Sequence, residues 1–266
     1  MKISALISDV DGTLLTSAKA LTERSRQAVA ALHARGIGFA IISGRPPRGM
    51  SMLVEPLALT GPMAGFNGGA FTAPDLTPIE EHLLAPDTAQ RAHDLLRARG
   101  VDVWAFSGLD WLLANADNAR VATEIHAVHF QPTIVRRLEP ALAAAYKVVG
   151  VSDDHALLAR CERELQAALG EQASASRSQP YYLDVTHPMA NKGVAVARLA
   201  GLMGVPLTEV AVIGDGGNDV GMFAQASFSI AMGNAAPDVR AQAKAVTQSN
   251  DHEGFAQAVH KYILDA

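Results

Sequence analysis

Two carboxylates, Asp9 and Asp11, lie two positions apart where the first apolar segment of the chain ends, in the motif DVDGTLL. In an extended strand, residues i and i+2 point to the same face, and Gly12 with Thr13 marks the turn that ends the strand. Carboxylates at the carboxyl end of a strand in an α/β pattern lie where such sheets bind ligands. Because like charges this close repel each other, the pair requires a metal ion or a shared proton.

Three further segments place polar groups at the end of a strand or the start of a helix. The segment SGRP at Ser43–Pro46 offers a hydroxyl and a helix-starting proline, which suit a phosphate group. Lys192 opens an amphipathic helix, where its charge opposes the helix dipole unless it binds an anion. In GDGGNDVGM, two glycines let the backbone approach a ligand, while Asp215, Asn218 and Asp219 suit a hard cation and a phosphate.

Together these motifs resemble the haloacid dehalogenase (HAD) superfamily of phosphohydrolases, and most closely its Cof-like branch, class IIB. DVDGTLL, SGRP, NKG and GDGGNDVGM occur in the family's order, and the resemblance extends over nearly the whole chain. A mild departure is Asn191, which stands where several residue types are usual. The resemblance implies an α/β fold in which a Rossmann-like parallel-sheet core carries an inserted α/β cap domain.

The resemblance also implies a catalytic role for each matching carboxylate. Asp9 is expected to attack phosphorus, and Asp11 to act as general acid and then as general base. The expected cofactor is Mg²⁺, because all the ligands offered are oxygens. The carboxylates of Asp9 and Asp215 and the backbone carbonyl of Asp11 would bind this ion, while Asp219 would orient its surroundings.

A second group of matching residues is expected to hold the phosphoryl oxygens through hydroxyl, amide and ammonium groups. Its members are Ser43, Lys192, Asn218 and the backbone amides of Val10, Asp11 and Gly44. Arg45 has two interpretations that the sequence leaves open, since its guanidinium would either reach the substrate or pair with a carboxylate of the cap.

The function implied is Mg²⁺-dependent hydrolysis of a small phosphomonoester, a sugar phosphate or similar metabolite, through an aspartyl-phosphate intermediate. One alternative is a phosphomutase or phosphotransferase, which uses the same nucleophile but returns the phosphoryl group to a substrate. Another is a non-catalytic phosphate-binding module such as a receiver. Receivers also combine acidic residues, a hydroxyl and a lysine on a parallel sheet, but they are much shorter and lack a GDGGND element.

Composition limits the partners. The 266-residue chain has a net charge of −5, no basic run and only 5% aromatic residues, which argues against binding of nucleic acid or acidic membranes. No segment approaches the ~20 apolar residues of a membrane span, and the single cysteine, Cys161, excludes an internal disulfide. Because the sequence enters its first core strand within a few residues, we expect no signal peptide. We therefore expect a cytoplasmic monomer or homodimer that binds a small phosphorylated metabolite.

Motif spacing predicts where the second domain lies. Asp9 and Ser43 are 34 positions apart, enough for one helix and one strand, whereas Ser43 and Lys192 are 149 positions apart. The sequence therefore predicts a core formed by residues 1–82 and 186–266, with a cap over residues 83–185.

The hydrophobic pattern also predicts individual elements. It indicates a helix over 22–35 capped by Thr22, a strand over 37–42 and a helix over 46–59, while residues 172–180 are predicted to form a loose loop.

Overall fold

The computed structural model describes residues 2–265. It divides into two compact units. The core unit comprises the chain through Ile79 and again from Asn191 onward, and the insertion unit comprises Glu80–Ala190. The sequence-based limits of the insertion, 83 and 185, lie three and five residues inside this division.

Strands and helices occur in both units, so the chain is a mixed α/β protein. The strands are β1 (Ala5–Asp9), β2 (Gly38–Ile42), β3 (Met63–Gly65), β4 (Ala70–Thr72), β5 (Pro78–Glu81), β6 (Asp102–Ser107), β7 (Asp110–Leu113), β8 (Thr133–Ile134), β9 (Ala145–Val151), β10 (Ser174–Gln179), β11 (Tyr182–Thr186), β12 (Val210–Gly214), β13 (Phe228–Ala231) and β14 (Ala245–Val246). The helices are α1 (Glu23–Ala34), α2 (Pro86–Ala98), α3 (Arg120–Val128), α4 (Glu139–Leu142), α5 (His155–Leu169), α6 (Lys192–Leu202), α7 (Val220–Gln225), α8 (Pro237–Arg240) and α9 (Gly254–Val259). Among the described residues, no helix is long and apolar enough to span a membrane.

The larger sheet has β1 near its centre, in the order β14-β13-β12-β1-β2-β3-β4-β5. β1 pairs in parallel with β2 on one side and with β12 on the other. The strands that follow β1 directly in the sequence therefore lie on one side of it, and the strands of the C-terminal part lie on its other side. This reversal of strand order is the position at which open α/β sheets bind ligands.

Apolar residues cover both faces of this sheet. Leu6 and Ile213 lie on one face in a buried cluster with residues of α1 and α9. The alternate residues Ile7 and Val212 lie on the other face, where they belong to a cluster with residues of α6 and α7. Because both faces are covered, the strands are continuous apolar runs, as in other parallel sheets.

The first predicted helix and strand are confirmed. α1 begins after Thr22, whose side-chain oxygen accepts a hydrogen bond from the Ser25 amide at 3.1 Å. It ends before Gly36, which adopts a left-handed φ of 69°.

The predicted helix over 46–59 is wrong. Only Pro47–Leu53 is helical, and as a 3₁₀ helix. Pro56 has no amide hydrogen to continue the helix, and Ala58 adopts a left-handed φ of 47°.

The insertion unit has its own sheet, in the order β10-β11-β9-β6-β7-β8. The predicted loop at 172–180 is also wrong, because β10 forms there as an edge strand, antiparallel to β11. Its residues are mostly exposed serine and other polar types, so its composition resembles a loop. The strand forms because the backbone edge of β11 offers hydrogen-bond partners, and only Ala175 is buried.

Candidate active site

Three predicted site residues meet at one edge of the larger sheet. Asp9 is the last residue of β1, Ser43 follows β2 and Asp215 follows β12. These three strands are parallel neighbours, so their carboxyl ends lie side by side. The edge therefore collects side chains that are far apart in the sequence.

Lys192 connects two of the carboxylates. Its Nζ donates to Oδ1 of Asp9 and, at 2.7 Å, to Oδ1 of Asp219. Side chains of all three residues are at least nine-tenths buried. A lysine in the first turn of a helix opposes the dipole, and here two carboxylates compensate for it.

The remaining oxygen of Asp219 holds the loop that follows β12. Oδ2 of Asp219 accepts hydrogen bonds from the amides of Asp215 and Gly216, both at 2.8 Å. A Cβ on Gly214 would lie 2.5 Å from the Asp219 carboxyl carbon, so only glycine fits there. Asp219 thus fixes the position of Asp215 while it also accepts from Lys192.

Two close-packed glycines explain how Lys192 reaches Asp219. Gly193 in α6 lies against Gly221 in α7, and a Cβ on Gly193 would lie 3.1 Å from the Gly221 carbonyl group. Asn191 caps α6, since its Oδ1 accepts from the Val194 amide at 2.9 Å. The two helices therefore approach backbone to backbone directly beside Lys192.

Asp215 is oriented by two groups on other segments. Thr13 Oγ1 donates to its Oδ1 at 3.0 Å, and Asn234 Nδ2 donates to its Oδ2 at 3.1 Å. The same Asn234 nitrogen lies 2.9 Å from the Gly12 carbonyl oxygen. Gly12 has a φ of 81°, and a Cβ there would lie 2.8 Å from the Asp215 carboxyl carbon. The turn after Asp9 therefore packs directly against Asp215.

Oxygens of Asp9, Asp215 and Asp219 lie within 4.8 Å of one another. Burial raises the pKa of Asp9 well above its usual range; Lys192 opposes this shift, while the charges of Asp219 and Asp215 add to it. Burial and the Asp219 charge likewise raise the pKa of Asp215. Burial alone would lower the pKa of Lys192, but Asp9 and Asp219 raise it above its ordinary value. This cluster has more negative than positive charge, and its all-oxygen donor set fits a hard divalent cation.

Asp11 lies outside that cluster, in an ion pair with two cations. Arg45 donates from Nε and Nη2 to its two oxygens, each at 2.6 Å, and Lys19 Nζ lies 2.7 Å from Oδ1. Although burial raises the pKa of Asp11, hydrogen bonds and charges from Arg45 and Lys19 outweigh it and hold the pKa below its usual value. In this arrangement Asp11 is an ionised carboxylate.

The guanidinium of Arg45 thus pairs with a carboxylate of the core unit. Its Nη1 also donates to the Gly49 carbonyl oxygen at 3.2 Å. The sequence had left open a cap carboxylate or the substrate as its partner; in the structure the carboxylate that Arg45 contacts is Asp11.

The predicted phosphate-binding residues are divided between buried and exposed positions. Ser43 is buried, and its Oγ accepts from the Arg45 amide at 3.1 Å. Gly44 lies beside the Asn67 side chain, and Nδ2 of the exposed Asn218 donates to Oδ1 of Asn67 at 3.2 Å. Asn67 therefore connects the loop after β2 with the loop after β12.

Val10 presents only its backbone to this region. Its side chain is fully buried in the apolar cluster beside α1. Its carbonyl oxygen accepts hydrogen bonds from the amides of Leu14 and Leu15, which closes the turn after Asp9.

Four residues of the site were not assigned roles from the sequence. Thr13 lies within the first motif, so its position beside two aspartates was a usable signal. Asn67 has a left-handed φ of 58° in the segment Asn67-Gly68-Gly69, which was assigned only to a turn. Lys19 and Asn234 belong to loops with no local pattern, and only the fold shows their partners.

Comparisons with known proteins match the chain over most of its length. A family model described as haloacid dehalogenase-like hydrolase matches residues 6–259. The chain is 30% identical to the HMP-PP phosphatase of Cronobacter sakazakii over 237 residues, which cover 88% of this chain and 85% of that protein.

Solved structures show the same fold over nearly the full length. A haloacid dehalogenase-like hydrolase from Bacteroides thetaiotaomicron matches with a TM-score of 0.91 and 26% identity, over 98% of this chain and 99% of the other. The HAD subclass IIB sugar phosphatase BT4131 matches with a TM-score of 0.84 and 22% identity, over 97% and 98% of the two chains.

Proposed function

Because the chain belongs to the haloacid dehalogenase-like hydrolase family, and is a phosphatase of that family, we propose that it hydrolyses a small phosphomonoester through an aspartyl-phosphate intermediate. The observation that carries the proposal is the contact of Lys192 with Asp9 and Asp219 at the carboxyl ends of β1 and β12. A phosphoryl group brought to this edge would meet a nucleophile, a fixed ammonium and a set of acidic ligands together.

Asp9 is the proposed nucleophile. Its carboxylate attacks phosphorus and displaces the alkoxide of the ester, which divides one slow hydrolysis into two easier steps. Burial favours a neutral Asp9, and the Lys192 ammonium favours the ionised form needed for attack. Lys192 therefore has two proposed tasks: it favours the ionised form of Asp9, and it binds a phosphoryl oxygen.

Asp11 is the proposed general acid and base. In the second step it accepts a proton from the water that attacks the aspartyl-phosphate, and the ionised carboxylate held by Arg45 and Lys19 is the form that this step requires. In the first step it must donate a proton to the leaving alkoxide. That step requires Arg45 or Lys19 to release one of the Asp11 oxygens, so that this oxygen can take up a proton from solvent before the ester bond breaks.

The phosphoryl oxygens would be bound by groups on the three loops that follow β1, β2 and β12. Ser43 contributes its hydroxyl, Asn218 its side-chain amide, and Gly44 and Val10 their backbone amides. Asn67 positions Asn218 through their 3.2 Å contact.

The donor set also fits a divalent cation, for which we propose Mg²⁺. Asp9 and Asp215 would bind it through carboxylates and Asp11 through its backbone carbonyl. Both oxygens of Asp219 already accept protein hydrogen bonds, which favours an orienting role for that residue. When bound, the ion supplies the positive charge that this acidic cluster lacks.

The insertion unit is the proposed determinant of substrate preference, because it adds a separate sheet and core to the catalytic unit. The relative from Cronobacter sakazakii is named for a small phosphorylated compound. A substrate of similar size is therefore proposed for this chain.

The direct test is product analysis with a panel of phosphorylated metabolites. A phosphatase releases inorganic phosphate, whereas a phosphomutase returns an isomerised ester and no free phosphate. If the products are isomers alone, the alternative with the same nucleophile is correct. If no ester is turned over, the catalytic proposal fails.

A substitution at the glycine contact tests how Lys192 is positioned. In Gly193→Ala the new methyl would lie 3.1 Å from the Gly221 carbonyl group, so α6 must shift from α7 and carry Lys192 with it. We expect kcat for an aryl phosphate to fall about tenfold or more, with a stability loss of about 1–3 kcal/mol. Steady-state kinetics and thermal unfolding measure the two effects.

Gly201→Ala is the matched control, because it makes the same change in the same helix where no atom lies within 4 Å of the new methyl. This variant should keep its kcat and gain up to about 1 kcal/mol from the helix propensity of alanine. Equal kcat values for the two variants would show that the glycine contact does not position Lys192.

A further inference from the structure

Asp215, the proposed cation ligand, contacts an asparagine whose own orientation is fixed by a later segment of the chain. Asn234 follows β13, and its Nδ2 donates to Asp215 Oδ2 at 3.1 Å and to the Gly12 carbonyl oxygen at 2.9 Å. Its Oδ1 accepts a hydrogen bond from the Asn250 amide at 3.0 Å. Because one end of the Asn234 amide faces two acceptors and the other faces a donor, these partners assign its nitrogen to the side of Asp215.

The two hydrogens of this planar amide join the turn after Asp9 to the loop after β12. Their directions are fixed relative to each other, so Asn234 sets the distance between the Gly12 carbonyl group and the Asp215 carboxylate. Thr13 donates to the other oxygen of Asp215. Each carboxylate oxygen can accept two hydrogen bonds. Asp215 is thus held in one orientation, and each of its oxygens keeps a position for a further ligand.

Asn234 itself is poorly placed to bind a cation. A metal ion requires a lone pair from an oxygen, and the side-chain oxygen of Asn234 faces the Asn250 amide. The atom that faces Asp215 is a donor nitrogen. These contacts indicate a residue that acts through Asp215 and the Gly12 turn.

We call residues 247–254, which contain Asn250, the C-terminal loop. Its backbone packs against Gly233, whose amide donates to the Gln248 carbonyl oxygen at 3.0 Å. A Cβ on Gly233 would lie 2.8 Å from the Ser249 nitrogen, so the two backbones are in close contact. The amide that orients Asn234 therefore belongs to a backbone packed against the residue just before Asn234.

The C-terminal loop also holds the segment that follows the Asp9 turn. Asn250 Nδ2 donates to the Leu15 carbonyl oxygen at 3.0 Å. The Ser17 amide donates to Asp251 Oδ1 at 2.8 Å. The loop thus stabilises the turn after the proposed nucleophile as well as the asparagine that joins this turn to the cation ligand.

We propose that Asn234 and Asn250 are positioning residues for the cation site, and that the backbone amide of Asn250 orients Asn234 for its contact with Asp215. Neither residue is expected to touch the substrate or the ion. The inference rests on the proposed cation-dependent phosphatase function and adds two residues to its site.

Three variants separate these contacts. Asn234→Ala removes the donor to Asp215. Asn250→Ala removes the side-chain contact with Leu15 but keeps the backbone amide, whereas Asn250→Pro removes both. Proline fits this position, because Asn250 begins a 3₁₀ helix and Ser249 before it has a φ of −69° and a ψ of 162°. The difference between the two Asn250 variants therefore measures the amide hydrogen bond to Asn234.

The quantity measured is the Mg²⁺ dissociation constant, obtained without substrate from melting temperatures across a titration with magnesium chloride. We expect it to rise about tenfold or more in Asn234→Ala, about fivefold in Asn250→Pro and less than about twofold in Asn250→Ala. The double variant Asn234→Ala/Asn250→Pro should stay within about twofold of Asn234→Ala, because no side-chain amide is left to orient.

Asn118→Ala is the matched control. Asn118 Nδ2 also donates to a carboxylate oxygen, Asp102 Oδ2 at 2.7 Å, but it lies in the insertion unit. This variant should lower the melting temperature and change the Mg²⁺ dissociation constant less than about twofold.

Unchanged Mg²⁺ affinity in both Asn234→Ala and Asn250→Pro would overturn the proposal, and so would equal effects of the two Asn250 variants. A purely structural role would lower the melting temperature in EDTA but leave the affinity unchanged, as in the control, which also overturns it. Should Asn234→Ala fail to fold, the two Asn250 variants still decide. Failure of the proposed function looks different, because the wild type would then gain no stability from Mg²⁺ and would release no phosphate from any ester.

Discussion

Asp9→Asn is expected to lower kcat for phosphate release from an aryl phosphate by about 10⁴-fold or more, because the amide cannot attack phosphorus. The fold should survive this change. The asparagine Oδ1 still accepts a hydrogen bond from Lys192, which keeps its contact with Asp219. Moreover, the amide carries no charge, so the burial that raises the pKa of Asp9 does not disfavour it. Initial rates with a phosphate assay, together with circular dichroism and thermal unfolding, measure both effects.

The control for this prediction is Asp75→Asn, which makes the same chemical change at an exposed turn. Asp75 accepts a hydrogen bond from the Thr77 amide at 2.9 Å and contacts no predicted site residue within the described part of the chain. Its kcat should stay within about twofold of the wild type. If Asp9→Asn retained activity above about a hundredth of the wild type, Asp9 would not be the nucleophile.

The sequence predicts which side chains meet at this sheet edge because they lie at strand ends. Asp9, Ser43 and Asp215 each follow an apolar run, and a parallel sheet brings such positions to one edge. Lys192 was identifiable for a related reason, since a lysine in the first turn of a helix needs an anionic partner. These inferences require only periodicity, element order and the chemistry of the side chain.

The remaining contacts depend on loops whose paths are set by tertiary packing. Lys19, which itself adopts a left-handed φ of 61°, contacts Asp11. Asn234 contacts Asp215 from a turn after β13. Nothing in the local sequence indicates either partner. The pairing of Arg45 with Asp11 was missed for the same reason, although both residues were predicted to be parts of the site.

The two wrong secondary-structure predictions have opposite causes. The helix predicted over 46–59 contains apolar residues at helical spacing, but Pro56 interrupts the hydrogen bonds that a continuous helix needs. The segment at 172–180 has almost no apolar residues, and β10 forms there because β11 offers an unpaired edge. The local sequence pattern thus predicted too long a helix after β2. It failed to predict β10, which forms because β11 lies beside it.

Removal of divalent cations is expected to reduce turnover at least about 100-fold, and Mg²⁺ should restore it. Asp9, Asp215 and Asp219 bring three carboxylates within 4.8 Å of one another, and the ammonium that contacts two of them is that of Lys192. Burial raises the pKa of both Asp9 and Asp215, so their ionised forms are unfavourable without added positive charge. EDTA treatment followed by titration with Mg²⁺ or Zn²⁺ tests this requirement.

Asp215→Asn changes a proposed ligand of the cation and leaves the proposed nucleophile, Asp9, intact. The asparagine can still accept from Thr13, but it lacks the negative charge that attracts a cation. We expect the half-saturating Mg²⁺ concentration to rise at least about tenfold, and the increase in melting temperature on adding Mg²⁺ to shrink in proportion to the lost affinity. Asp75→Asn should match the wild type in both measurements.

The melting-temperature measurement matters because it reports cation binding without depending on turnover. If Mg²⁺ stabilised Asp215→Asn as much as the wild type, the cation would bind elsewhere. If Zn²⁺ alone restored full activity, the preference argued from an all-oxygen donor set would be wrong. If EDTA had no effect at all, the cation proposal would fail, and Lys192 together with a shared proton would have to balance the carboxylates.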